Sequence, residues 1–92
     1  MIENANTEFK REYTETIRKS VLAFANTEGG CLYIGIDDDG SAVGVADADD
    51  VQKRIVSLCR DGIRPDVLMF LSCDRILIEG KDVVRIHEHG DF

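Results

Sequence analysis

The stretch Ala23-Phe24-Ala25-Asn26-Thr27-Glu28-Gly29-Gly30-Cys31-Leu32-Tyr33-Ile34-Gly35-Ile36-Asp37-Asp38-Asp39-Gly40 constrains the fold more than any other part of the chain. Apolar residues at helical spacing lead into it, two glycines interrupt it, an apolar run follows, and an acidic turn closes it. The side-chain period changes from 3.6 to 2 within a few residues, so a helix must lie close beside the strand that follows. A helix packed on a sheet is the expected result.

Upstream, Ile17, Val21, Phe24 and Ala25 share one helical face while Glu15, Arg18 and Lys19 point away. Thr14 is the expected N-cap, and Gly29 suits the left-handed conformation that ends helices. Met1 to Asn6 carries no periodicity, and Thr7-Glu8-Phe9-Lys10 alternates as a short edge strand would. Cys31 to Asp37 is apolar on both faces and belongs in the centre of a sheet. Asp38-Asp39-Gly40-Ser41 supplies a tight turn, with Ala42 to Val45 as the returning arm of a hairpin.

Asp47, Asp49 and Asp50 then place carboxylates at the electropositive start of a second helix. Its apolar stripe is Val51, Ile55, Leu58 and Cys59, with Lys53, Arg54 and Arg60 farther along and Gly62 at its end. Arg64-Pro65 begins an extended connection. Val67 to Cys73 and Arg75 to Ile78 form one bent strand or two, and Glu79-Gly80-Lys81-Asp82 turns the chain into a last strand, Val83 to His87. The order β-α-β-β-α-β-β describes an α+β fold, a mainly antiparallel sheet with two helices packed on one face.

A chain of 92 residues is a single domain spanning 1–92, able to bury roughly 60–65% of its unfolded surface in one modest core. The excess of 18 acidic over 11 basic residues, a net charge of −7, excludes a broadly basic surface of the kind that binds polyanions nonspecifically. The charge is uneven, however. Ile34 to Asp50 holds aspartates and no basic residue, whereas Lys10, Arg11, Arg18 and Lys19 gather near the N-terminus. Cys31, Cys59 and Cys73 are odd in number and lie in apolar contexts, as free thiols of a reducing compartment do. No apolar run approaches the roughly 20 residues of a membrane span, and the N-terminus lacks the features of a signal peptide. A cytoplasmic protein without membrane contact is expected.

Several chemistries are testable by spacing. Gly29-Gly30 is no phosphate loop, because the glycines run from helix to strand and no Gly-x-x-x-x-Gly-Lys-Ser/Thr is present. Asp37-Asp38-Asp39-Gly40 fails as a calcium loop, since Gly35 and Ala46 occupy ligand positions. His87-x-His89 puts two imidazoles on one strand face without an evident third ligand. Glu3, Glu8 and Asp37 would converge at a sheet edge if the first segment pairs beside the central strand, and three carboxylates can hold a magnesium or manganese ion that activates water. Lys10, Arg11, Arg18 and Lys19 would meet phosphates from the strand–helix junction, with Asn26 and Thr27 as hydrogen-bonding residues at the helix end. Each of these also has a structural role: solvation for the helix cations, turn formation for Asn26 and Thr27.

Ala-Phe-Ala-Asn-Thr-x-Gly-Gly-x-Leu-x-Ile-Gly-Ile-x-Asp-x-Gly, preceded by Glu8-Phe9-Lys10, resembles the Schlafen-type AlbA-like DNA-binding domain. The resemblance covers residues 3 to 88 and is strongest from 8 to 44. It implies a DNA-binding module, without catalysis or a cofactor of its own, at the N-terminus of a bacterial transcriptional regulator or RecG-like protein. The chain would then be the N-terminal part of a longer protein. Its recurring motifs are Glu8-Phe9-Lys10 and Asn26-Thr27-x-Gly29-Gly30. RNA is the other polyanion the resemblance admits. Catalytically active Schlafen proteins are similar around Glu-x-x-x-x-Glu-Phe-Lys and the Gly-Ile-Asp strand end, which carries a metal-dependent nuclease role onto Glu3, Glu8 and Asp37 as an alternative. Schlafen cores also resemble two such lobes side by side, which implies a homodimer as a third reading, and an exposed edge strand would favour it.

Overall fold

The computed structural model describes residues 3–25, 29–62 and 71–89. Strand β1 (Thr7–Lys10) leads through helix α1 (Ile17–Ala25) to strand β2 (Gly30–Ile34). Helix α2 (Ala48–Ser57) widens into a π-helical turn over Leu58–Gly62, and strands β3 (Leu71–Ile78) and β4 (Lys81–Glu88) complete the fold. The sheet order is β1-β2-β4-β3. β1 lies parallel to β2, with Phe9 opposite Tyr33, while β2 and β3 both run antiparallel to β4.

The sheet is therefore mixed rather than uniformly antiparallel. α1 carries the chain back across one face, so β2 restarts in the direction of β1, as a β-α-β connection requires. β2 is central, as its two-sided apolarity predicts. Leu32 and Ile34, opposite Ile86 and Val84, form the floor of the main core. Ile17, Val21 and Phe24 from α1 and Val51, Ile55 and Cys59 from the second helical run close it from one side. A smaller cluster of Phe9, Ile36, Ala42 and Val83 lies apart from it, with Phe9 edge-on to Tyr33 at 6.2 Å.

The hairpin predicted from Ala42 to Val45 shrinks to one bridge between Ile36 and Ala42. Gly35 and Gly44 have φ of +109° and +77°, and both Val43 and Gly44 donate their N–H groups to the Gly35 carbonyl. The chain then leaves its partner, and Val45 donates to Asp82 on β4 instead. The predicted third strand is thus a loop. α1 starts later than predicted, because the Thr14 hydroxyl bonds to that of Thr16, 2.6 Å away, while the Thr14 carbonyl accepts from Ile17 N. Asp47 does cap α2, accepting from Asp50 N at 3.0 Å. β3 is one unbroken strand from Leu71, and the predicted Arg64-Pro65 connection and Val67 to Phe70 lie outside the described residues.

Gly29 and Gly30 owe their place to close approach. A Cβ on Gly29 would overlap the Glu88 carbonyl oxygen, and one on Gly30 would sit 2.7 Å from the Phe24 ring and 2.8 Å from the Asn6 carbonyl oxygen. Helix α1 and β4 can close on the start of β2 only where side chains are missing. In the last hairpin Glu79 and Gly80 both take positive φ, 54° and 77°, which matches a primed two-residue turn between Ile78 and Lys81.

Candidate nucleic-acid interface

Burial of Ile17, Val21 and Phe24 leaves Arg18 and Lys19 on the outer side of α1. In the same way, burial of Val51 and Ile55 turns Lys53 and Arg54 outward from α2. Between the helices stands Tyr13, half-buried against the main core, with the Arg54 guanidinium 5.8 Å from its ring centre. Burial raises the Tyr13 phenol above its ordinary pKa of 10.0, against the pull of Arg54, so its hydroxyl keeps its proton at neutral pH.

Tyr13 borders three adjoining grooves. The first, about 470 Å³, runs between Arg11, the loop Val43–Ala46 and Arg54. The second, about 540 Å³, lies between Arg18, Lys53, Arg54 and Leu58. The third, about 360 Å³, is edged by Thr16, Arg18 and Lys19. Acidic residues share this path: Glu12, Asp47 and Asp50 in the first groove, Asp61 in the second and Glu15 in the third.

Most described cations are already engaged. Lys10 stands 3.8 Å from Glu8, Arg11 2.8 Å from Asp37 and Arg54 2.8 Å from Asp50. Arg60, Arg75 and Arg85 pair with Asp61, Asp82 and Asp74, and Lys81 donates to the Ala42 carbonyl. Among the described residues, Arg18, Lys19 and Lys53 are the cations without such a partner, and all three edge the α1–α2 region. Of the basic residues expected to act together, Arg11, Arg18 and Lys19 therefore border the connected grooves, whereas Lys10 lines none of them. Asn26 and Thr27 lie outside the described residues. Lys53, Arg54 and Tyr13 complete the surface, and sequence reasoning did not attach them to it.

The three carboxylates considered for a metal ion have separate partners. Glu3 accepts from the Phe9 N–H at 2.9 Å, Glu8 accepts from the Ser20 hydroxyl, and Asp37 holds Arg11 and the Asp38 N–H. Glu3 and Glu8 line one small cleft beside Phe24, but Asp37 does not. Among the described residues no three His, Cys, Asp or Glu side chains form a group able to hold a metal ion. This arrangement does not fit a three-carboxylate metal centre. The His87 and His89 rings do meet, 4.4 Å apart. All three cysteines are free, Cys59 fully buried and Cys31 and Cys73 partly so. Among the described residues no helix is long and apolar enough to cross a membrane.

Two comparisons bear on the family and the fold. A family model described as Schlafen, AlbA_2 matches residues 3–90. The solution structure of the N-terminal domain of a RecG-related protein from Nitrosomonas europaea superimposes with a TM-score of 0.68 at 21% identity, covering 97% of this chain and 66% of that one. At that identity the likeness speaks for the fold, and the chain spans about two thirds of its neighbour's length.

Proposed function

The chain belongs to the Schlafen AlbA_2 family, and we propose that it is a nucleic-acid-binding module that meets phosphates along the α1–α2 grooves and carries out no chemistry itself. The observation that carries this reading is the position of the unengaged cations. Arg18, Lys19 and Lys53 have no carboxylate to leave before they meet a phosphate, whereas Arg11 and Arg54 would exchange one anion for another. Lys10 is the weakest member of the set first expected, since Glu8 already stands beside it. Family membership supports a nucleic-acid-related role, and within it we favour DNA as the partner and a cytoplasmic bacterial transcriptional regulator as the parent protein.

The net charge of −7 makes affinity weak and local. Fluorescence anisotropy with labelled oligonucleotides at two salt concentrations tests the reading. Reversing Arg18→Glu and Lys53→Glu together is expected to lower affinity at least about tenfold and to flatten the salt dependence by roughly one unit of slope per lost phosphate contact. Both side chains are exposed and outside any ion pair, so thermal unfolding should stay close to that of the parent. Unchanged affinity in the charge-reversed variant would sink this surface. A gel of the probe after incubation with magnesium or manganese reads the nuclease alternative in the same experiment.

A further inference from the structure

We infer that the groove selects single-stranded over duplex nucleic acid, with Tyr13 as the platform on which an unstacked base lies. This rests on the reading above that the groove takes phosphates. The three grooves share one aromatic ring, and the unengaged cations line two of them, Arg18 and Lys53 the second and Arg18 and Lys19 the third. An aromatic side chain among cations is the combination that holds a single strand: the ring takes a base face on the side where Arg54 now lies, Arg54 moving aside to the backbone, while the other ammonium and guanidinium groups follow the phosphates.

The carboxylates argue in the same direction. A duplex presents two rigid phosphate rails, and on this surface they would run over Glu12, Asp47, Asp50, Asp61 and Glu15, which line the same grooves as the cations. A single strand bends at every nucleotide and can place its phosphates at the cations while its bases turn inward. Each groove, at about 360 to 540 Å³, lies in the size range of sites for small ligands, about 300–1,000 Å³, and is large enough to receive a base rather than a length of double helix. The protonated Tyr13 hydroxyl adds a neutral donor near the backbone without repelling it.

The test compares short labelled single-stranded DNA, RNA and the matching DNA duplex by anisotropy, using the parent, Tyr13→Phe, Tyr13→Leu and the Arg18→Glu/Lys53→Glu variant. The parent is expected to favour a single strand, with a salt slope of roughly −0.7 per phosphate met. Tyr13→Phe should keep single-strand affinity within about twofold, and Tyr13→Leu should lose about five- to a hundredfold. Binding of either DNA or RNA single strands supports the inference.

Tyr13 also packs on the core, so a second readout avoids the risk that Tyr13→Leu does not fold. The chain has 2 tyrosines, and in a Tyr33→Phe background Tyr13 emission alone is recorded. Stacking predicts that oligothymidine quenches it, saturating with the anisotropy signal. Duplex binding as tight as single-strand binding, or saturating binding without quenching, overturns base stacking while the phosphate surface stands as long as the charge reversal abolishes binding. No binding of any probe overturns both.

Discussion

Asp50 faces two ways. It sits in the first turn of α2, where a negative charge is favourable, and it holds Arg54 at 2.8 Å one turn along the helix. Arg54 in turn lies over Tyr13. The carboxylate that stabilises the helix therefore occupies a cation at the centre of the proposed groove. Asp50→Asn is expected to weaken the fold by about 0.5–1 kcal/mol, from the lost exposed pair and the lost charge at the helix start. The same change should tighten oligonucleotide binding several-fold, because Arg54 is released and a repelling charge is removed. Chemical denaturation and anisotropy on one preparation check the two signs together. A fall in both stability and affinity would mean that Asp50 positions Arg54 for binding rather than restraining it.

At the scale of elements, the turn from α1 into β2 depends on missing side chains. Gly29 has φ of +97° and lies against the Glu88 carbonyl, so any side chain there meets an unfavourable backbone conformation and a backbone atom that cannot rotate away. Gly29→Ala is expected to cost at least about 2–4 kcal/mol, read as a lower urea midpoint. Gly80→Ala, also at positive φ but with no atom within 4 Å of the added Cβ, should cost only about 1–2 kcal/mol. Equal losses would show that conformation alone, and not the contact with β4, makes Gly29 necessary. The sequence announces these glycines as a turn, but their reason is tertiary: β4 must arrive beside β2 before the crowding exists. The same distinction explains the other departures. The apolar stripes of both helices, the central character of β2 and the last hairpin rest on local period and were legible. The parallel pairing of β1, and the loss of the 42–45 strand to a contact with Asp82, depend on partners distant in sequence. The surface divides likewise. Arg18 and Lys19 could be seen to face outward from α1 alone, whereas Lys53, Arg54 and Tyr13 join them only because the Leu58–Gly62 turn brings the end of α2 against α1.

For the whole molecule, the thiols couple the core to pH. Burial pushes Cys59 and Cys73 from 9.0 up to about 11, with the nearby Glu88 and Asp74 acting in the same direction. Both thiols lie on the helix side of the sheet, Cys59 in the Leu58–Gly62 turn that ends the second helical run and Cys73 beside Ile86 on β4. In the unfolded chain they lose protons near pH 9, whereas the folded chain holds them to about pH 11. Between these values the native state binds more protons than the unfolded state, so stability is retained below pH 9 and falls as pH rises through 11. The urea midpoint should therefore decline across that window. A Cys59→Ala/Cys73→Ala variant should start lower, because Cys59 leaves a cavity, yet show a flatter decline. Parallel profiles would assign the alkaline loss to other groups, Tyr13 among them.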